Sequence, residues 1–109
     1  MLIRFDELEE LSIPHLNGGT GSVDAKMFDD SSNKIMLSRL PEGASIGMHP
    51  HYTSSEINYV LSGTGVARCD TTEEPLSPGC CHYCPKGSSH SITNTGTEDL
   101  VLFTVVPEQ

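Results

Sequence analysis

Short apolar or alternating runs, each cut off by turn-forming residues, fill the chain from Val23 onwards. The runs are Val23 to Phe28, Lys34 to Leu40, Ser45 to His51, Glu56 to Leu61, Gly65 to Cys69, Cys80 to Cys84, His90 to Thr93 and Leu100 to Val106. Their length and two-residue alternation predict β-strands rather than helices. Asn17-Gly18-Gly19, Asp29 to Asn33, Pro41-Glu42-Gly43, Ser62-Gly63, Asp70 to Pro75, Ser77-Pro78-Gly79, Pro85-Lys86-Gly87 and Asn94-Thr95-Gly96 separate them and suit turns. Strands at about ten-residue spacing predict an all-β sandwich or barrel. Only Phe5 to Leu11 predicts a helical turn, with Phe5, Leu8 and Leu11 spaced by three and Pro14 behind them. Gly18-Gly19-Thr20-Gly21-Ser22 has no Lys-Ser or Lys-Thr after it and no strand-loop-helix unit around it, so it reads as a flexible loop rather than a phosphate loop.

The chain has 109 residues, which predicts a single domain spanning 1–109 with an N-terminal arm at 1–22. A barrel this small gains from burying apolar area against a second copy, so a homodimer is expected. Six Lys and Arg against fifteen Asp and Glu give a formal net charge of -9. An acidic surface repels phosphate backbones and anionic lipid heads, arguing against nucleic acid and membrane partners. Runs such as Leu100-Val101-Leu102-Phe103 are too short to span a bilayer, and the N-terminus lacks the plan of a signal peptide, so a cytoplasmic protein is expected. The runs Glu7, Glu9, Glu10 and Asp29-Asp30 read as solvated faces.

His49-Pro50-His51 places two imidazoles on the same face of an extended strand, about 7 Å apart along the backbone. Glu56 follows after Thr53-Ser54-Ser55, enough chain for a bulge or tight loop to return its carboxylate to that face. His90 arrives from a separate hairpin. Three neutral imidazoles and a carboxylate suit a borderline divalent ion: manganese, iron, nickel, cobalt or zinc. A zinc site from Cys80, Cys81, Cys84 and His82 is disfavoured, because neighbours on a strand point to opposite faces. Cys69, Cys80, Cys81 and Cys84 read as reduced and used for packing, and His15 and His82 as structural or solvated.

The residues around these four donors carry a resemblance to the cupin family. The motif G-x5-H-x-H-x4-E-x6-G is matched by Gly43, His49, His51, Glu56 and Gly63, and the motif G-x5-P-x-G-x2-H-x3-N by Gly79, Pro85, Gly87, His90 and Asn94. Every spacing is satisfied, and fifteen residues separate the two motifs, at 43–63 and 79–94. One departure is Cys80, where members commonly carry Asp. The resemblance implies a double-stranded β-helix or jelly-roll barrel, RmlC-like and often dimeric. It implies one divalent transition metal held inside by His49, His51, Glu56 and His90, with the motif Gly and Pro residues and Asn94 structural.

Alternation from Glu56 turns Asn58 and Val60 inward and Ile57, Tyr59 and Leu61 outward, which makes Asn58 the residue expected to touch a substrate. A metal with open positions binds a hydroxyl, carbonyl or carboxylate oxygen as a Lewis acid. The leading expectation is therefore isomerase- or lyase-type chemistry on a small polar oxygen-rich molecule, a sugar derivative or carboxylic acid, with Tyr52, Tyr83 and Asn58 as acid, base or contact candidates. A metal-dependent dioxygenase and a non-catalytic small-molecule binding or sensory domain are the alternatives, since this fold serves many chemistries.

Overall fold

The alternation of inward apolar and outward polar residues folds into ten strands, in a computed structural model that describes all 109 residues. They are β1 (Leu11–Pro14), β2 (Ser22–Asp29), β3 (Asn33–Leu40), β4 (Ser45–Pro50), β5 (Glu56–Ser62), β6 (Gly65–Cys69), β7 (Thr72–Leu76), β8 (Cys81–Cys84), β9 (Ser89–Asn94) and β10 (Leu100–Pro107). All pairings are antiparallel, in a six-stranded sheet of order β1-β2-β3-β10-β5-β8 and a four-stranded sheet of order β4-β9-β6-β7. This is the all-β sandwich predicted by the pattern, in the jelly-roll form that the resemblance implies. No helix is long and apolar enough to cross a membrane.

Between the sheets lies one apolar cluster built from Val23, Leu40, Ala44, Val60, Ala67, Leu76, Ile92, Leu100 and Leu102. Each fully buried Val, Leu or Ile side chain there contributes about 1.5–3 kcal/mol relative to exposure. The inward set on β5 is Glu56, Asn58 and Val60, and Ile57, Tyr59 and Leu61 face out, as the alternation requires.

Three segments differ from the sequence expectation, two of them in secondary structure. The predicted helical turn at Phe5 to Leu11 shrinks to a 3-10 turn at Phe5–Glu7, and Leu11 instead opens β1, opposite Ala25 of β2. The ladder along the edge of the sheet outcompetes a helix of little more than one turn, whose nucleation is unfavourable. Phe5 still packs, its ring edge-on to Phe103 with centroids 6.3 Å apart. The stretch expected to be a turn, Asp70 to Pro75, holds only a tight bend at Asp70, whose φ is 53°. Thr72 to Pro75 continue as β7, paired with β6. Pro75 is tolerated because β7 is the edge of its sheet and its missing N–H is not needed by a further strand.

The glycine-rich stretch is a docked strap rather than a flexible loop. Ser45 donates its N–H to the Thr20 carbonyl at 2.9 Å. The Thr20 N–H donates to Ser45 Oγ at 2.9 Å, and its hydroxyl to the Gly43 carbonyl at 2.8 Å. Gly19 and Gly47 meet backbone to backbone: a Cβ at Gly47 would collide with the Asn17 carbonyl, and one at Gly19 with the Ser45 carbonyl. Such contact is open only to residues without a side chain. Gly47→Ala is therefore expected to lower the unfolding free energy by about 1–3 kcal/mol, the usual cost of forcing a methyl into a packed site. The check is the urea midpoint, and a midpoint equal to wild type would mean that the strap is not seated on Gly47.

Candidate metal centre

His49 and His90 come from the four-stranded sheet, His51 from the loop just past β4, and the carboxylate from the six-stranded sheet. His49 lies on β4 and sits opposite His90 of β9 in the ladder, just past an irregularity between Ile46 and His49 that re-aims the strand. His51 follows the end of β4, and Glu56 is the first residue of β5. The structure brings together all four donors expected from the sequence, with one ligand atom from each lying within 4.8 Å of the others.

His90 Nε2 is 3.0 Å from His51 Nε2 and 3.1 Å from His49 Nε2. Glu56 places Oε1 3.4 Å from His51 Nε2 and Oε2 3.3 Å from His90 Nε2. The outer nitrogens are taken by the protein. His49 Nδ1 donates to the Gly47 carbonyl at 2.8 Å, His51 Nδ1 lies 3.2 Å from Ser54 Oγ, and His90 Nδ1 lies 2.9 Å from His82 Nε2. A neutral His49 that donates from Nδ1 has a bare lone pair at Nε2. A single hydrogen on His90 Nε2 could point at either His49 or His51, never both, so lone pairs are left facing one another beside a carboxylate. A cation at their centre resolves that repulsion. For metal–donor distances of about 2.1 Å, donors at right angles lie about 3.0 Å apart and donors at the tetrahedral angle about 3.4 Å apart, which brackets the four separations around His90 and Glu56. The residues fit a divalent transition metal.

Burial alone would raise the Glu56 carboxyl, but the His51 and His90 imidazoles beside it and the hydrogen bond from Asn58 hold it far below the ordinary carboxylate range. Burial holds His49 below the ordinary imidazole value of 6.5, partly offset by its bond to Gly47. Asn58, 2% exposed, donates Nδ2–H to Glu56 Oε2 at 2.9 Å and accepts the Thr104 hydroxyl at 2.6 Å. It lines the cavity, with both ends of its amide engaged in orienting Glu56.

That cavity has a volume of about 90 Å³. His49, Glu56 and Asn58 form its polar floor, and its apolar walls include Ile13 and Leu16 of the N-terminal arm, Met36 of β3 and Ile46 of β4. Its volume is far below the roughly 300–1,000 Å³ of pockets for drug-sized ligands, so it suits a molecule of a few heavy atoms. Tyr52 and Tyr83, 78% and 52% exposed, stand on the surface away from this chemistry. On β8 Cys81 faces solvent, while Cys84 is buried, and burial pushes its thiol up to about 12. Cys80 packs against the apolar cluster.

Sequence reasoning passed over three residues. His82, read as structural or solvated, is 1% exposed and bonded to a metal-site histidine. Thr104 buttresses Asn58, and Gly47 both seats the strap and orients His49. The inward alternation of β8, which buries His82 along with Cys84, was the one local signal for His82.

Both depressed groups at the centre bind protons more readily in the unfolded chain than in the folded one, so stability must rise with pH across their titration. The metal-free protein is expected to lose stability on acidification in two stages. The first sets in as pH falls below 6.5, the ordinary His49 value, and the second as it falls below 4.5, the ordinary Glu56 value. Denaturant midpoints at pH 7.5, 5.5 and 4 on chelator-treated protein check this, and a midpoint independent of pH would contradict it.

Comparison with known proteins agrees with this geometry. A curated protein of Thermotoga maritima named "oxalate-binding protein" is 35% identical over 112 residues, covering 97% of this chain and 93% of its own length. A solved Thermotoga maritima structure described as a predicted oxalate decarboxylase superposes with a TM-score of 0.93 at 30% identity, covering all of both chains. An RmlC-like cupin from Shewanella frigidimarina shares the fold alone, with a TM-score of 0.81 at 16% identity over 99% of this chain and 90% of its own. The family model for the cupin domain matches residues 36–106, a span that contains both motifs and every donor of the metal centre, and the chain belongs to the cupin family.

Proposed function

We propose that this cupin binds one divalent transition metal through His49, His51, Glu56 and His90 and uses it to take a small carboxylic acid, oxalate being the first case, for lyase-type chemistry. The observation that carries the reading is the cavity of about 90 Å³ opening onto His49 and Glu56. It suits a dicarboxylate of six heavy atoms better than a sugar derivative. The names given to the two Thermotoga proteins support the same class of ligand.

A bound divalent ion supplies Lewis-acid polarisation of a coordinated oxygen and a positive charge to hold a carboxylate. The protein's own part is positional. Asn58 and Thr104 hold Glu56 in one orientation, Gly47 holds the His49 ring, and Ile13, Leu16, Met36 and Ile46 exclude bulk water from the ligand. Dry walls strengthen every charge interaction inside them.

A second reading, binding without turnover, is favoured by one observation: the only carboxylate or imidazole groups lining the cavity, Glu56 and His49, are both donors of the metal centre. No separate acid stands ready to protonate a product carbanion there. The two readings part on products.

Protein purified without an affinity tag is expected to hold near one equivalent of metal by elemental analysis, with His49→Ala and His90→Ala holding little. Calorimetry should then detect oxalate binding to the metal-loaded form only, with hexoses silent. Formate and carbon dioxide appearing in stoichiometric amounts supports the lyase reading, and saturable binding with no product supports the second. Absence of metal from wild type after reconstitution removes both.

A homodimer is also proposed. Ile57 and Tyr59 of β5 and Tyr83 of β8 share the outer face at the sheet edge, 37%, 43% and 52% exposed. Light scattering should give the mass of two 11.8 kDa chains for wild type and one for Tyr59→Glu. A monomeric wild type at micromolar concentration refutes the assembly.

A further inference from the structure

Among the deeply buried polar groups, His82 alone has a ring that bridges the two sheets and carries no task in the function proposed above. It lies on β8, opposite Asn58 in the pairing with β5. Its Nδ1 is 2.8 Å from Glu74 Oε1 on β7, and its Nε2 is 2.9 Å from His90 Nδ1. The His82 and His90 rings are stacked, with centroids 5.2 Å apart and planes 22° from parallel. Strands β7 and β8 belong to different sheets, so the contact crosses from one to the other. The Glu74 side chain is 39% exposed, whereas those of His82 and His90 are wholly buried.

The direction of these bonds follows from what each atom can do. An ionised carboxylate only accepts, so the hydrogen between Glu74 and His82 belongs to His82 Nδ1. A neutral His82 then has only a lone pair at Nε2, and the hydrogen of the next bond must come from His90 Nδ1. His90 is left with no hydrogen for Nε2, the atom that faces His49, His51 and Glu56. We propose that Glu74 and His82 form a positioning relay that locks His90 in its Nδ1–H tautomer and presents its Nε2 lone pair to the metal. The proposal rests on reading the four donors as a metal site. The relay touches neither metal nor cavity and acts only through His90. Partners of this kind orient a ligating ring and raise its basicity.

The opposite arrangement, a doubly protonated His82, would make His90 Nδ1 an acceptor and put its hydrogen on Nε2, inside the donor group, where it blocks a metal. The two arrangements are distinguishable in the metal-free protein. Long-range proton–nitrogen correlation NMR on nitrogen-15-labelled full-length wild type is expected to show His90 as the Nδ1–H tautomer. Cobalt(II), followed by its visible absorption against a competing chelator, then reads the consequence. Glu74→Ala should weaken cobalt binding about 10- to 100-fold. Glu74→Gln, which keeps an acceptor without the charge, should recover part of the loss, and His49→Ala serves as the control for the site itself. Glu74 lies on an edge strand at the surface, so its variants are expected to fold, and circular dichroism checks that they do.

An Nε2–H tautomer on His90 in wild type overturns the relay. So does a Glu74→Ala protein that binds cobalt as tightly as wild type with the His90 tautomer unchanged. If wild type takes up no cobalt while His90 is nonetheless Nδ1–H, the metal-site reading falls and the hydrogen-bond chain stands.

Discussion

Four electron-pair donors crowded within 4.8 Å of one another form the constraint around which the barrel is arranged. Nitrogen lone pairs about 3 Å apart beside a carboxylate repel, and the interior offers little solvent screening to soften that. The surrounding structure keeps the donors from turning away. Each imidazole is held from behind, His49 by the Gly47 carbonyl, His51 by the Ser54 hydroxyl and His90 by His82, and the carboxylate is held by Asn58. Because His49 and His90 sit in one sheet and Glu56 in the other, the group exists only when the two sheets are packed. An ion bound there is in effect a cross-link between them, and its binding energy becomes folding energy.

The apolar cluster packs the sheets together with no help from the metal centre. Leu40, Ile92, Leu100 and Leu102 are completely buried, each from a different strand or from a different position on β10. The polar group therefore sits beside a separate hydrophobic core. That separation lets the site carry repulsion that would be hard to bear at the centre of so small a core.

The donors were legible in the sequence because their geometry is nearly local. His49 and His51 share a face by strand alternation, and Glu56 is one short loop away; His90 needed the motif around it. The inward turn of Asn58 was legible for the same reason, though its tie to Thr104 depends on the β5–β10 register, which no local pattern states. His82 and Glu74 were illegible as functional groups because they meet only through the closure of the barrel, from strands in different sheets. The strand at Thr72 to Leu76 was hidden by Pro75, a breaker everywhere in a sheet except at an edge, and edge position is itself a tertiary fact. Likewise β1 was hidden by a spacing of Phe5, Leu8 and Leu11 that imitates a helix turn, overruled once a neighbouring strand offered a ladder.

The strap pinned by Gly19 and Gly47 divides the molecule's labour along its length. The span that carries the family's motifs begins at residue 36 and supplies every metal donor. Ile13, Leu16 and Asn17, which close the cavity, lie upstream of it. The cavity wall is thus shared between the upstream arm and residues such as Met36 and Ile46 inside the span, and the arm is held to β4 by the Gly19–Gly47 contact and the Thr20 bonds. Variation in the first twenty or so residues would alter one wall of the cavity while leaving all four candidate donors in place.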